Sequence, residues 1–450
     1  MATVVLPPTL AIRVEGKGSF LVGGQTAGDV LRSLERRQPE LRGWILDETG
    51  SLREHIALFI NSHKVSLGRP IRAEDELYVI QAISGGAPAA QQEVELLVGT
   101  KKGLCILQGA RGQIAQVSHR VFAGQTVDYA CFDERSGTYF ASMTHGQFGP
   151  HLYLTSDVDG DWQEAEGLVF PVDFDSAVER IWIVEPGSEE GVLWAGVAPA
   201  ALFKSADNGR SWKLNRELWN QPTRPDWGRG LGGQALHSIC PWPDEPGRLA
   251  VGISAAGVWL TEDGGETWYR GSAGLVPRYL PEGARQDTLA HCVHKMLRAP
   301  LEPETLFMQF HGGVYISDDA GRSWNDIGTD SGLPADFGFP LALDPADPNR
   351  AFVIPLAADI DRVTPDGKLR VYQTLDRGST WQPLASGLPQ KDTYLTILRQ
   401  ALCQDGQDPL GLYFGTKSGT VFGSVDGGAN WLTLLDHLPT IVSVQVGRQI

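Results

Sequence analysis

The sequence has no apolar run approaching the roughly 20 residues that a membrane span requires, so no membrane partner is expected. Its first residues, Met1-Ala-Thr-Val-Val-Leu-Pro-Pro, lack a basic stretch followed by a long apolar one, so no secretory leader is expected. Cysteine is scarce, at five residues (105, 131, 240, 292 and 403), an odd number without a C-x-x-C pair. That usage fits a reducing cytoplasm better than a disulfide scaffold. A Gly-x-Ser-x-Gly elbow and a Gly-x-x-x-x-Gly-Lys phosphate loop are both missing, so neither a serine hydrolase nor a P-loop nucleotide enzyme is indicated and no cofactor is expected. Positive charge is also in deficit. The net charge is −16, from 38 Lys and Arg against 54 Asp and Glu. Residues 1–90 hold 10 of each sign, so the remainder carries 28 basic against 44 acidic residues and all of the excess. Such a surface repels a phosphate backbone, and no nucleic-acid partner is expected.

Gly (53), Pro (28) and Trp (13) are plentiful, which points to many turns and a recurrent large aromatic. An eight-residue pattern explains them. It reads Ser205-Ala-Asp-Asn-Gly-Arg-Ser-Trp212, Thr261-Glu-Asp-Gly-Gly-Glu-Thr-Trp268, Ser317-Asp-Asp-Ala-Gly-Arg-Ser-Trp324, Thr374-Leu-Asp-Arg-Gly-Ser-Thr-Trp381 and Ser424-Val-Asp-Gly-Gly-Ala-Asn-Trp431. A degenerate copy, Thr155-Ser-Asp-Val-Asp-Gly-Asp-Trp162, precedes them. The tryptophans stand 50, 56, 56, 57 and 50 residues apart, the length of one four-stranded propeller blade. In each box the Ser or Thr and the Asp (157, 207, 263, 319, 376, 426) can bind amides of a tight turn, while Gly supplies positive φ and Trp packs in the seam.

These boxes resemble the Asp-box, or BNR, repeat of bacterial sialidase-like, sortilin-like and xyloglucanase-like propellers, a resemblance that implies a structural turn and not a catalytic one. Six boxes give six blades. Residues 94–119 read as strands without a box, and Thr440–Val446 reads as a lone strand, so pairing the two completes a seventh blade and removes both free edges. The fold expected for 94–450 is an all-β seven-bladed β-propeller closed by its C-terminal strand.

Residues 1–86 read differently. Strands at Val4–Leu6 and Ser19–Val22, a helix opened by Thr26-Ala-Gly-Asp29, and strands at Ala57–Asn61 and Glu76–Ile83 give the order ββαββ. With Phe59-Ile-Asn61, Ala73-Glu-Asp-Glu-Leu-Tyr-Val-Ile80 and the final Gly85-Gly86, this small α+β segment resembles the MoaD/ThiS ubiquitin-like β-grasp sulfur carriers. That resemblance implies an E1-like adenylating enzyme as partner and a thiocarboxylate on the terminal glycine. Here Gly86 is followed by Ala87 and the segment 87–93, so a carrier also needs a processing protease that cuts after Gly86. The other reading of Gly85-Gly86 is the start of a flexible linker, with the β-grasp as a docking module on an interaction scaffold.

Aligning the repeats on one another puts His237, His294, Phe339 and Arg180 in one column early in the innermost strands, with Arg399 and Asp128 joining after a shift. His311 falls in a loop opening at the same end, and the insertion 218–229 adds Arg224 and Trp227. This predicts a cationic ring able to hold a small anionic ligand such as a carboxylate or phosphate, or polar residues that only hold blades together. His237, His294 and His311 are the candidates for a metal, but no His-x-His or His-x-x-x-His pair supports one and none is expected. A glycoside hydrolase remains as the enzymatic alternative, and it requires a pair of carboxylates that no motif marks here.

Overall fold

The computed structural model describes all residues except 1, 15, 48–49, 54–55, 61–62, 73–74, 82–91, 114, 229–232, 286–287, 329, 358 and 450. It divides into two compact units, Met1–Gln91 and Gln92–Ile450.

In the first unit, five strands form one sheet in the order Ser19–Val22, Ala2–Val5, Glu76–Gln81, Ile56–Ile60, His63–Val65. The pairing of Ala2–Val5 with Glu76–Gln81 is parallel, whereas the other pairings are antiparallel. The helix Ala27–Arg37 starts where Thr26 predicts. The Thr26 hydroxyl accepts the Asp29 amide at 3.2 Å and Asp29 Oδ2 accepts the Thr26 amide at 3.1 Å, a reciprocal capping box. Val30, Leu31 and Leu34 recur at helical spacing and bury against Val4, Val22, Leu58, Leu77 and Val79. The arrangement is a β-grasp. The strand His63–Val65 was not foreseen, because three residues are too few to show alternation. Gly85 and Gly86 lie outside the described residues, as does most of 87–93.

The second unit contains, among the described residues, seven antiparallel sheets of four strands each. Their first strands are Thr126–Asp133, Arg180–Pro186, Leu236–Trp242, Val293–Arg298, Gly338–Asp344, Leu402–Gln404 and Ile441–Val446. Each first strand lies against the first strand of the next sheet, and Ile441–Val446 lies against Thr126–Asp133. Chain order and sheet order differ only in the last sheet, where Ile441–Val446 pairs antiparallel with Glu93–Thr100.

The boxes close the turns between third and fourth strands. At Asp207, Oδ1 accepts the Ser211 amide at 2.9 Å and Oδ2 accepts the Ser211 hydroxyl at 2.6 Å, while the Ser205 hydroxyl accepts the Gly209 amide at 2.9 Å. Asp263, Asp319, Asp376 and Asp426 accept the corresponding amide at 2.8–2.9 Å. The degenerate box departs from this scheme, since Asp157 Oδ1 accepts the Asp159 amide at 3.0 Å instead. The buried Trp324 and Trp431 sit so close to the next turn that a Cβ on Gly274 or Gly387, both at positive φ, would strike the tryptophan carbonyl. The tryptophans therefore fix the spacing between adjacent sheets.

Candidate functional site

In an antiparallel four-stranded sheet, the start of the first strand and the turn between second and third strands lie at the same end. Seven such ends meet on one side of the second unit and bring together residues far apart in sequence. Arg180 and Trp182 stand on one first strand, with Trp182 at the bulge between Ile181 and Ile183. The Arg180 guanidinium lies 4.7 Å from the Trp182 ring centre, and Arg399 covers the same ring at 4.9 Å. Arg399 also lies 5.7 Å from the Phe339 ring, which Arg362 approaches at 5.4 Å. Three guanidinium groups are thus interleaved with two aromatic rings.

Of the three, Arg180 alone has an ion pair among the described residues, to the buried Asp128 at 3.2 Å. Asp128 also accepts the Thr144 hydroxyl at 2.6 Å. Arg399 Nε and Trp182 Nε1 are buried without a hydrogen-bond partner among the described residues. Burial, together with the like charges of Arg180 and Arg362, pulls Arg399 down to about 10. Lys101 and Lys417, in the corresponding turns of two other sheets, act electrostatically on one another and with Asp128 and Arg180. Several basic side chains thus gather at this end of an acidic chain.

The histidines divide into two kinds. His237 is fully buried, with Nε2 at 2.9 Å from the Val293 carbonyl and 3.0 Å from Ser254 Oγ, and Nδ1 at 3.2 Å from Ser238 Oγ. Burial and the Arg399 charge hold it well below the usual range, so it is neutral. The expected cationic His237 is therefore corrected: it clips one sheet to the next and has no free nitrogen for a ligand. His294 donates from Nδ1 to the Gly338 carbonyl at 2.6 Å and packs on Phe339 at 4.8 Å and on His311 at 5.1 Å. His311 stands 3.6 Å from Asp359. Burial lowers His294 and His311 as well, so the positive charge here comes from arginine and lysine, not from imidazole.

Of the three metal candidates, His237 does not join His294 and His311. Cys292, His294 and His311 come together instead, with one donor atom from each all within 4.8 Å of one another. Arg224 and Trp227 pack on each other. The Arg224 guanidinium lies 3.5 Å from the Trp219 ring and 5.1 Å from Trp227, donates to the Ala200 carbonyl at 2.7 Å, and is pulled down to about 10 by burial. With Trp227 buried, this pair pins the insertion to the turn at Ala200, in place of the open overhang expected. Deeper in the same unit, Lys295 Nζ donates to Gln400 at 3.0 Å, and Gln400 donates to the His237 carbonyl at 3.0 Å. Burial lowers Lys295 to about 8 and raises Glu185 to about 7.

Sequence reasoning missed Trp182, Arg362, Cys292 and Asp359. Trp182 and Cys292 were within reach, each lying two positions from a residue already singled out on a strand. Arg362 and Asp359 were not, because they sit in the long turn after Asp347–Pro355, which has no counterpart in the other repeats.

Comparison with known proteins separates the two units. Residues 14–86 match the ThiS family. Small archaeal modifier protein 1 of Haloferax volcanii is 34% identical over 64 residues, which is 14% of this chain and 74% of that protein. Among solved structures, an ancestral GH74 enzyme is 14% identical with a TM-score of 0.46, covering 80% of this chain and 40% of its own. YCF48 bound to D1 peptide is 14% identical with a TM-score of 0.39, covering 66% of this chain and 82% of its own. Through residues 14–86 of its first unit, the chain belongs to the ThiS family.

Proposed function

We propose that residues 1–86 are a sulfur-carrier-type module and that 94–450, joined by 87–93, form a closed seven-bladed propeller that binds an anionic ligand without transforming it, in the cytoplasm. The observation that carries the first half is the extent of the family match, which runs through residue 86 and so includes Gly85-Gly86. A carboxylate oxygen must attack the α-phosphorus of ATP for adenylation, and a peptide carbonyl bonded to Ala87 cannot. A protease acting after Gly86 therefore precedes an E1-like enzyme in this scheme. Intact mass spectrometry of the protein from its native host tests it. A fragment ending at Gly86, 16 mass units heavier when sulfur replaces the carboxylate oxygen, is expected, and Gly86→Val abolishes it. An uncut chain under sulfur limitation overturns the carrier reading and leaves a docking domain.

Three observations support the binding half. Arg399 is buried between two rings with its Nε unpartnered among the described residues, two further guanidinium groups flank the same rings, and of the three only Arg180 has a carboxylate partner there, Asp128. A carboxylate or phosphate entering this end supplies the countercharge that the buried Arg399, beside two like charges, calls for. Calorimetric titration with citrate and pyrophosphate should detect binding that Arg399→Met weakens by about 10-fold or more, with the melting temperature of the free protein held or raised. Equal affinity in the variant overturns the anion site.

A further inference from the structure

Among the described residues, one sheet of the seven carries a set of donors that its neighbours lack. The third and fourth sheets can be compared position by position through their backbone pairing. Leu236 pairs with Ile253, and Val293 with Phe310. Beyond these pairs, the Ser254 amide donates to the Ala235 carbonyl at 2.8 Å, and the His311 amide donates to the Cys292 carbonyl at 3.0 Å. Ala235 thus corresponds to Cys292, His237 to His294 and Ser254 to His311. The two column histidines do the same structural work, each bonding a carbonyl of the next sheet, Val293 or Gly338. What differs is the surroundings. Around His237 stand a methyl group and a hydroxyl that its ring already engages. Around His294 stand a thiol and a second imidazole.

We propose that Cys292, His294 and His311 form a three-ligand site for a thiophilic d10 metal ion, Cu(I) or Zn(II). Their donor atoms already lie within 4.8 Å of one another, a separation that a small contraction brings to metal-bonding geometry. His294 is oriented as a metal-bound imidazole usually is. Its Nδ1–H is committed to the Gly338 carbonyl, which leaves the Nε2 lone pair directed away from that bond. Asp359, 3.6 Å from His311 Nε2, supplies a second orienting group. The walls are aromatic: Tyr279 lies 4.4 Å from the His311 ring, and Phe337 lies 5.2 Å from His294 and 5.1 Å from His311. Cys292 and His311 are only partly buried, which leaves an entry path. Binding releases the thiol proton to solvent and leaves both imidazoles neutral. One thiolate cancels the charge of Cu(I), whereas Zn(II) retains one positive charge and an open position for water or an anion.

The test uses the full chain, purified reduced and stripped with chelator. Competition against chromophoric ligands for Cu(I), and separately for Zn(II), measures stoichiometry and affinity, and Co(II) serves as the spectroscopic probe. Expected are one ion per chain and a thiolate-to-cobalt charge-transfer band. Cys292→Ser should remove the band and weaken binding about 100-fold, and His311→Gln should weaken it about 10-fold or more. His145→Gln, in another sheet, should change neither. Circular dichroism and melting confirm that each variant is folded. The Zn(II) and Cu(I) arms identify the ion. Failure of both ions to bind, or Cys292→Ser with unchanged affinity, overturns the site. Should Cys292→Ser fail to fold, the unsubstituted chain decides, because a cobalt complex without the thiolate band also overturns it.

Discussion

Deleting residues 439–450 tests the closure of the second unit most directly. The lost strand, Ile441–Val446, pairs with Glu93–Thr100 and lies against the first strands of two other sheets, Thr126–Asp133 and Leu402–Gln404. Ile441 and Val444 are fully buried and Val442 is 8% exposed. At about 1.5–3 kcal/mol for each buried aliphatic side chain, their loss removes roughly 5–9 kcal/mol, comparable with the whole net stability of about 5–15 kcal/mol of a typical domain. The deletion also bares the inner edge of Glu93–Thr100, a template for association between chains. The truncated chain should lose its cooperative melt and elute as aggregate. A graded version avoids all-or-none failure. Ile441→Ala, at a position where the side chain meets Gly415 of the neighbouring sheet, should cost about 2–5 kcal/mol in urea denaturation. A truncated protein that melts cooperatively within a few degrees of the full chain refutes the reasoning, because a ring held by its last strand cannot spare it.

Two further perturbations separate sources of stability. Burial raises Glu185 from 4.5 to about 7, so the folded protein keeps a proton that the unfolded chain has released. Its contribution is present below about pH 4.5 and lost as pH rises through about 7, at most about 3 kcal/mol at about 1.4 kcal/mol per pH unit. Glu185→Gln should flatten that part of the stability profile, and an unchanged slope assigns it to other groups. Asp207→Ala deprives the Ser211 amide and hydroxyl of their acceptor and should cost about 1–3 kcal/mol, whereas Asp157→Ala, which frees the Asp159 amide, should cost about 1 kcal/mol or less. Equal chemical-denaturation midpoints for the two variants would show that the degenerate box is as structural as the others.

Periodicity made the sheets legible, because a box repeating every 50–57 residues marks the same turn each time and leaves one place for each strand between tryptophans. The capping residues Thr26 and Asp29 announced the helix for the same reason: the bonds that define its start are local. The lone strand 441–446 needed a different argument, that an unpaired edge is costly, and that argument led to the partner it has. Charge was less legible. Histidines at the mouth of an acidic protein read as potential cations, but protonation depends on burial, and burial depends on which sheet lies behind the ring.

The column alignment carried more information about the site than was first drawn from it. Counting residues placed His237 and His294 at one position and suggested one role for both. In the structure that role is real but structural, a bond from an imidazole to the next sheet's backbone. A site begins only where such a residue exceeds its structural requirement, and the excess is visible as a difference between repeats: Ala235 and Ser254 flank one histidine, Cys292 and His311 the other. Reading the register off the sequence alone was blocked by the bulges between Leu236 and Ser238 and between Val293 and Lys295, which shift the pairing by one residue and hide that Ser254 and His311 are equivalent. The bulges leave His237 and His294 without a cross-strand partner in the second strand. Both sheets share this irregularity, so what sets His294 apart is the residue it meets, His311 at 5.1 Å between ring centres, where the other sheet has Ser254.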